Sequence, residues 1–177
     1  MRSETDRAKI EAFMSALAER VRGAGRVYFT GGGTAVLFGW RATTIDLDLK
    51  ASPEPPGFFE AIAEIKEIVD LNIELAAPDD LIPALPGWEE RSIFIARRRK
   101  IDFYHYDLYA QALAKIERGH ARDLADVRAM LARGLLALER LLELFAAIEP
   151  ALIRYPAVDP IGLRAAVVAF VEEGGVT

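Results

Sequence analysis

The chain has 177 residues, of which 52% are hydrophobic and 28% charged, and its formal net charge is −5 at pH 7. This length suits one globular domain with a helical extension, and the negative charge argues against a surface that holds nucleic acid indiscriminately. The lack of cysteine excludes disulfides, thiolate zinc sites and a cysteine nucleophile. Charges interrupt every apolar run, and the N-terminus has no apolar signal core, so we expect a cytoplasmic protein without a membrane partner.

The first elements are a helix, a strand and a glycine turn. An apolar stripe at helical spacing predicts a packing helix over residues 4–22, and the apolar stretch 27–29 predicts a strand over 26–30. The turn leads into a short helix that ends at Phe38, and the unpaired amides of such a helix start favour phosphate. A tight turn that needs glycine for its backbone alone is the alternative. The candidate nucleotide-binding residues are Gly31, Gly32, Gly33 and Thr34.

The segment 44–49 alternates between polar and apolar residues, which is typical of a half-buried strand. The buried face would carry Ile45, Leu47 and Leu49. Asp46 and Asp48 then lie side by side on the other face, where two carboxylates repel each other unless a cation lies between them. Oxygen ligands of this kind suit Mg²⁺. The alternative is the solvated face of an edge strand, since Lys50 follows on the same side.

A two-metal site generally needs one more carboxylate from a neighbouring strand. The pattern predicts a helix over 58–69 and a strand over 71–75, and Glu74 lies within that strand between two apolar residues. Because an unpartnered charge is costly to bury there, Glu74 is our preferred third ligand. Asp102, in a later strand, is the second candidate, and Asp70 is explained by the end of the helix.

Residues 78–91 contain three prolines and are predicted to be irregular. Two strands follow, over 92–96 and 101–106, and the basic run 97–100 joins them as a hairpin. Such a run is either a charged hairpin tip that discourages edge pairing or a short contact to RNA.

The remaining chain is predicted to be helical. Asp107 can cap a helix that Gly119 ends, and further helices are expected over 120–134, 135–148 and 160–174. The sequence therefore predicts an α/β fold, in which a mixed β-sheet flanked by helices occupies residues 1–106 and a C-terminal helical bundle occupies residues 107–177.

The order of a glycine pair, Thr34 and Asp46-Leu47-Asp48 resembles the signature of the polymerase-beta-like nucleotidyltransferase superfamily. Two later segments, 114–118 and 122–126, are similar to the AbiEii/AbiGii-type toxin branch, and the resemblance covers roughly residues 26–131. It implies a nucleotidyltransferase-like sheet whose cleft the C-terminal helices complete. It also implies that Asp46 and Asp48 hold two Mg²⁺ ions, one at the attacking hydroxyl and one at the triphosphate.

In that branch a lysine at the position of Lys115 would meet the nucleotide phosphates. Asp123 and Asp126 are three residues apart and share one helix face, as further polar groups of the cleft would. The alternative is that both form salt bridges with Lys115, Arg118 or Arg122.

The resemblance implies an enzyme that transfers a nucleoside monophosphate from an NTP to a hydroxyl on an RNA, such as a tRNA, or on a protein. Its catalytic residues would be Asp46, Asp48 and Glu74. The biological setting would be a bacterial toxin–antitoxin pair, with a separate antitoxin protein as partner. The alternative is a catalytically inactive nucleotide-sensing or partner-binding module of the same fold.

Overall fold

A computed structural model describes residues 3–174, and in this range the chain forms five strands and eight α-helices. The strands are β1 (Gly25–Thr30), β2 (Asp46–Ala51), β3 (Asn72–Leu75), β4 (Ile93–Arg98) and β5 (Ile101–His105). The helices are α1 (Arg7–Arg20), α2 (Gly31–Phe38), α3 (Phe58–Ile68), α4 (Trp88–Arg91), α5 (Leu108–Arg118), α6 (Ala121–Ala132), α7 (Leu138–Ile148) and α8 (Pro160–Glu172). Two short 3₁₀ segments, Pro78–Asp80 and Glu149–Arg154, were not predicted. The predicted α/β fold with C-terminal helices is confirmed.

The five strands form one mixed sheet in the order β3-β2-β1-β5-β4. The central strand β1 runs antiparallel to β2 and parallel to β5. β2 pairs with β3 in parallel, and β4 pairs with β5 in antiparallel orientation, which confirms the predicted hairpin. The sheet is therefore of mixed direction, as the sequence predicted.

One hydrophobic core holds the apolar face of the sheet against α1, α2 and α3. Leu47 and Leu49 of β2 are fully buried in it. The stripe predicted for the first helix is also confirmed, because α1 buries Ile10, Phe13, Met14 and Leu17. Removing these side chains from water is the main stabilising contribution to this part of the chain.

The alternation of residues 44–49 and 71–75 and the helical pattern of 58–69 predict that Ile45, Leu75 and Phe59 face this core, and the structure shows that they do not. Ile45 lies in a bend before β2 and is only half-buried, and the preceding Thr44 is buried instead. Phe59 is 56% exposed because the inner stripe of α3 consists of Phe58, Ala61, Ile62 and Ile65. Leu75 is 49% exposed at the end of an edge strand.

The chain divides into two compact units. The first contains the chain up to Ala77 together with Ser92–Tyr106, and the second contains Pro78–Arg91 together with the chain from Asp107 onward. In the second unit α5 packs against α6, α7 and α8. Asp107 caps α5 and Gly119 ends it with a φ of +71°, as predicted. Between residues 3 and 174, every helix falls short of the length and apolarity that crossing a bilayer requires.

Candidate active site

The glycine turn, Gly31 to Thr34, begins directly after β1, and a carboxylate approaches its first residue closely. Gly31 has a φ of +56°, a conformation that L side chains rarely adopt. A Cβ at this position would lie 2.9 Å from Oδ2 of Asp48. Only glycine can adopt this positive φ and also leave room for the carboxylate of Asp48. The turn and the carboxylate of Asp48 are therefore in direct contact.

The next two glycines are explained by close packing. A Cβ at Gly32 would lie 2.0 Å from Oγ1 of Thr44, and one at Gly33 would lie 2.9 Å from Cδ1 of Leu47. Both glycines are buried, and they let the first turn of α2 approach the chain at the start of β2. The requirement for glycine at these two positions therefore comes from packing, and a positive φ is found only at Gly31 within the turn. Contact between their amides and a phosphate stays a prediction.

Thr34, the last residue of the turn, is directed into the interior. Its side chain is fully buried, and its hydroxyl donates a hydrogen bond to the carbonyl of Phe29 at 3.2 Å. Nδ1 of His105 lies 3.1 Å from the hydroxyl oxygen of Thr34, and the imidazole stacks on Phe38. Burial, with a smaller contribution from the charge of Arg7, lowers the pKa of His105 to about 4, so the ring is neutral at pH 7. The side chain of Thr34 therefore packs in the interior, and a contact between Thr34 and a nucleotide stays a prediction.

Asp46 and Asp48, which we call the carboxylate pair, project from the same face of β2. The predicted alternation holds from Asp46 onward, because Leu47 and Leu49 are buried on one face while both aspartates are half-buried on the other. In the antiparallel register Asp48 lies opposite Thr30, the last residue of β1. The register therefore brings the pair to the end of β1 at which the glycine turn begins.

Neighbouring polar side chains hold Asp46 in place. The side-chain amide of Asn72, on β3, donates a hydrogen bond to Oδ1 of Asp46. The hydroxyl of Thr44 donates to the backbone carbonyl of Asp46 at 3.0 Å. The amide of Asn72 thus orients the carboxylate of Asp46, and the hydroxyl of Thr44 holds its backbone. The carboxylate of Asp48 is bordered by the bend at Gly31.

The third-carboxylate candidates lie in different places. Glu74 is aligned with Asp48 in the parallel register of β2 and β3, but it is exposed. The expectation that its charge is costly to bury is therefore wrong, because β3 is an edge strand.

Asp102 is aligned with Arg26, four residues and about 13 Å along β1 from Thr30. Arg97 binds both oxygens of Asp102, at 2.6 and 2.9 Å, and lowers its pKa. Asp70 follows the end of α3 with a φ of +43°. Within residues 3–174, no three His, Cys, Asp or Glu side chains are grouped closely enough to hold a metal. The carboxylate pair is thus the centre of the candidate site, and Glu74 as a third ligand stays a prediction.

The other predicted nucleotide-binding residues form a buried ion cluster in the second unit. Nζ of Lys115 lies 2.7 Å from Oδ2 of Asp126 and 3.5 Å from Oδ1 of Asp123, and all three residues are buried. Nε of Arg118 lies 3.3 Å from Oδ2 of Asp123. The salt bridges weighed as the alternative are therefore present. A nucleotide contact by these residues stays a prediction.

The structure adds residues that sequence reasoning missed. Asn72 occupies the position two residues before Glu74, so the alternation of β3 was a signal that it shares a face with that acid. Arg91 is the partner of the fully buried Asp107, with Nη2 at 2.7 Å from Oδ2. Burial raises the pKa of Asp107, and the hydrogen bonds from Arg91 oppose that shift. Nothing in the sequence signalled this pair.

Comparison with known proteins gives one finding. Residues 10–156 match the model of a family described as nucleotidyltransferase of unknown function (DUF6036). No curated protein and no solved structure matches the chain. The matched range contains the glycine turn, the carboxylate pair and the buried ion cluster.

Proposed function

Because the chain belongs to this family of nucleotidyltransferases, we propose that the glycine turn and the carboxylate pair form the site at which it transfers a nucleoside monophosphate from an NTP to a hydroxyl group. The observation that carries the proposal is the position of Asp48, whose Oδ2 lies 2.9 Å from the point where a Cβ at Gly31 would be. A carboxylate this close to a helix start joins a cation ligand to a phosphate-binding backbone.

The carboxylate pair fits Mg²⁺. Both ligands are oxygen donors, they project from one face of β2, and both are partly accessible. Asp46 and Asp48 would hold the ion, and we extend the proposal to two ions, as the motif resemblance implies. Bound Mg²⁺ would neutralise phosphate charge and lower the pKa of the acceptor hydroxyl.

The turn supplies the phosphate contacts in this proposal. The N-cap residue of α2, Thr30, makes no side-chain capping bond, because its hydroxyl is directed to the carbonyl of Ala76 at 3.4 Å. The amides of the first helical turn and the positive end of the helix dipole favour an anion there. In the transfer, the acceptor oxygen bonds to the α-phosphorus, the bond from that phosphorus to pyrophosphate breaks, and the hydroxyl proton passes to solvent.

The acceptor and the biological setting extend the proposal further. We take the acceptor to be a hydroxyl of an RNA, with a protein hydroxyl as the other outcome. On the motif resemblance, the setting is a bacterial toxin–antitoxin pair. Induced expression should then arrest bacterial growth, and a cognate antitoxin protein should relieve the arrest. Growth unaffected by the active enzyme would remove the toxin role and leave the transfer activity standing.

The proposal is tested by measuring transfer of label from each α-labelled NTP to total RNA or to cell extract, with Mg²⁺ present. We expect Asp46→Asn and Asp48→Asn each to lower the transfer rate by about 10²–10³-fold, since each removes a charge on which transition-state stabilisation depends. Asp6→Asn is the matched control, because Asp6 is exposed and caps α1, where asparagine caps equally well.

Two further outcomes are decisive. If the protein binds nucleotide but shows no transfer with any divalent metal tested, the proposed transferase activity is refuted and the nucleotide-sensing module is supported. Glu74→Gln decides the third ligand: a loss comparable to that of Asp48→Asn makes Glu74 part of the metal site, and retained activity excludes it. The melting temperature of each variant shows whether it is folded.

A further inference from the structure

A basic pocket lies at the end of β1 that is remote from the glycine turn. Its volume is about 420 Å³, and it lies between the end of α1 and the tip of the β4–β5 hairpin. We call it the hairpin pocket. Its lining residues are Ala18, Glu19, Val21, Arg22, Gly23, Arg99 and Lys100. Three cations and one acid therefore surround the space.

The three cations of the hairpin pocket differ from their basic neighbours. Arg20 pairs with Glu64, and Arg97 pairs with Asp102. The side chains of Arg22, Arg99 and Lys100 make no ion pair or hydrogen bond within residues 3–174. All three residues are exposed. Unpaired cations around a concave surface raise the local potential even in a chain of net charge −5.

The pocket is too far from the carboxylate pair to serve the reacting nucleotide. The amide of Gly25, at the start of β1, donates to the carbonyl of Lys100, so the hairpin tip is tied to this end of the strand. β1 has six residues and is about 20 Å long, and the glycine turn begins at its other end. A single NTP at the turn does not bridge this length, whereas a chain of several nucleotides does.

We propose that the hairpin pocket binds backbone phosphates of an RNA. Cationic side chains recognise phosphodiesters through charge and hydrogen bonds and carry no sequence information, so the pocket would set the register of the RNA and not its sequence. The identification of this RNA as the acceptor rests on the proposed function. The binding itself does not, and it can be measured without NTP.

The experiment measures the binding of a fluorescent single-stranded RNA 12-mer by anisotropy, without NTP or Mg²⁺, at several salt concentrations. We expect Arg99→Glu combined with Lys100→Glu to weaken binding at least tenfold at 50 mM salt. The slope of log K against log salt should fall by about 1.4, which corresponds to two lost contacts to a single strand. Arg22→Ala alone should lower the slope by about 0.7.

A matched control separates the effect of the pocket residues on RNA binding from the effect of the change in net charge. Lys66→Glu combined with Arg154→Glu makes the same charge change at two exposed positions outside the pocket, and we expect less than a twofold effect. Equal weakening by both double variants would overturn the proposal. So would RNA binding that neither pocket variant alters. Arg99→Gln combined with Lys100→Gln repeats the test without charge reversal, in case the reversed pair fails to fold.

The same titration with ATP and with inorganic phosphate distinguishes the source of the phosphate. If either binds in a manner that depends on Arg99 and Lys100 while the RNA does not, the RNA assignment fails and a small phosphate ligand replaces it. Asp48→Asn should bind the RNA as the unaltered protein does. Loss of transfer in that variant, with RNA binding independent of the pocket, would leave the proposed function intact and refute this inference alone.

Discussion

The carboxylate pair of β2 and the two aspartates of α6 contain the same chemical groups in opposite environments. Asp46 and Asp48 are half-buried, and the lack of a Cβ at Gly31 gives the carboxylate of Asp48 room beside the glycine bend. Asp123 and Asp126 are buried, and Lys115 and Arg118 lie within ion-pair distance of them. The comparison teaches that acidic spacing in a sequence cannot by itself separate a ligand site from an internal ion pair.

The physical reason is the cost of desolvation. A buried carboxylate must have its partner within the protein, so its charge is already neutralised by an internal ion pair in the folded state. A half-buried carboxylate retains access to solvent and can exchange water for an ion. We therefore expect substitutions in the two regions to have separable effects, on stability in α6 and on transfer in β2.

The largest expected effect in α6 is that of Asp126→Ala. This change leaves the buried ammonium of Lys115 with Asp123 as its only ion-pair partner among the described residues, and we expect a loss of about 3–5 kcal/mol in the free energy of unfolding. Urea denaturation measures it. The double variant Lys115→Met with Asp126→Leu removes both charges of this pair and should recover part of the loss, since Asp123 keeps Arg118 as its partner. If the free energy of unfolding is unchanged and NTP binding is weaker, these residues contact the nucleotide and are not a structural ion pair.

The next effect concerns His105, which lies beneath the glycine turn. Its pKa is about 4 in the folded protein and near the ordinary 6.5 when unfolded, so the unfolded state binds more protons between these values. The stability that the neutral ring contributes is present above pH 6.5 and is lost as the pH falls. Between pH 7 and 5 we expect a loss of about 2 kcal/mol that His105→Phe does not show. Equal pH slopes for the two proteins would contradict a buried, neutral His105.

The smallest expected effect is that of Asn72→Ala. The amide of Asn72 orients Asp46, which is a ligand in the proposed Mg²⁺ site. Residues that orient a metal ligand typically contribute 10–100-fold to metal affinity, so we expect Mg²⁺ to bind about tenfold more weakly. Titration of transfer activity with Mg²⁺ measures the change, and the unfolding free energy should be nearly unaffected. A change confined to stability would place Asn72 with the structural residues and weaken the assignment of the pair.

Local periodicity was sufficient for the type and the main buried face of several elements, although it failed for Ile45 and Phe59. The alternation in β2, the stripe of α1 and the caps of α5 all follow from neighbouring residues, and the structure confirms them. It was insufficient wherever the answer depends on which strands pair. Leu75 has the same local pattern as Ile73, yet it is exposed because β3 ends at the sheet edge.

The candidate site shows the same limit. Periodicity placed Asp46 and Asp48 on one face, but only the β1–β2 register brings Asp48 to Gly31. The packing reasons for Gly32 and Gly33 depend on Thr44 and Leu47, which no local pattern relates to them. Register is a long-range property, and a single sequence carries little information about it.

The path of the chain has a practical consequence for dissecting the protein. The polypeptide passes from one unit to the other after Ala77, Arg91 and Tyr106, so neither unit is a continuous stretch of sequence. Truncation after Tyr106 would retain Pro78–Arg91 but remove the helices among which that segment belongs, including the Asp107 that pairs with Arg91. A fragment that ends at Tyr106 would contain the candidate site but would keep Pro78–Arg91 without the rest of its unit. Deletion mapping of this protein therefore has to remove Pro78–Arg91 together with the C-terminal helices.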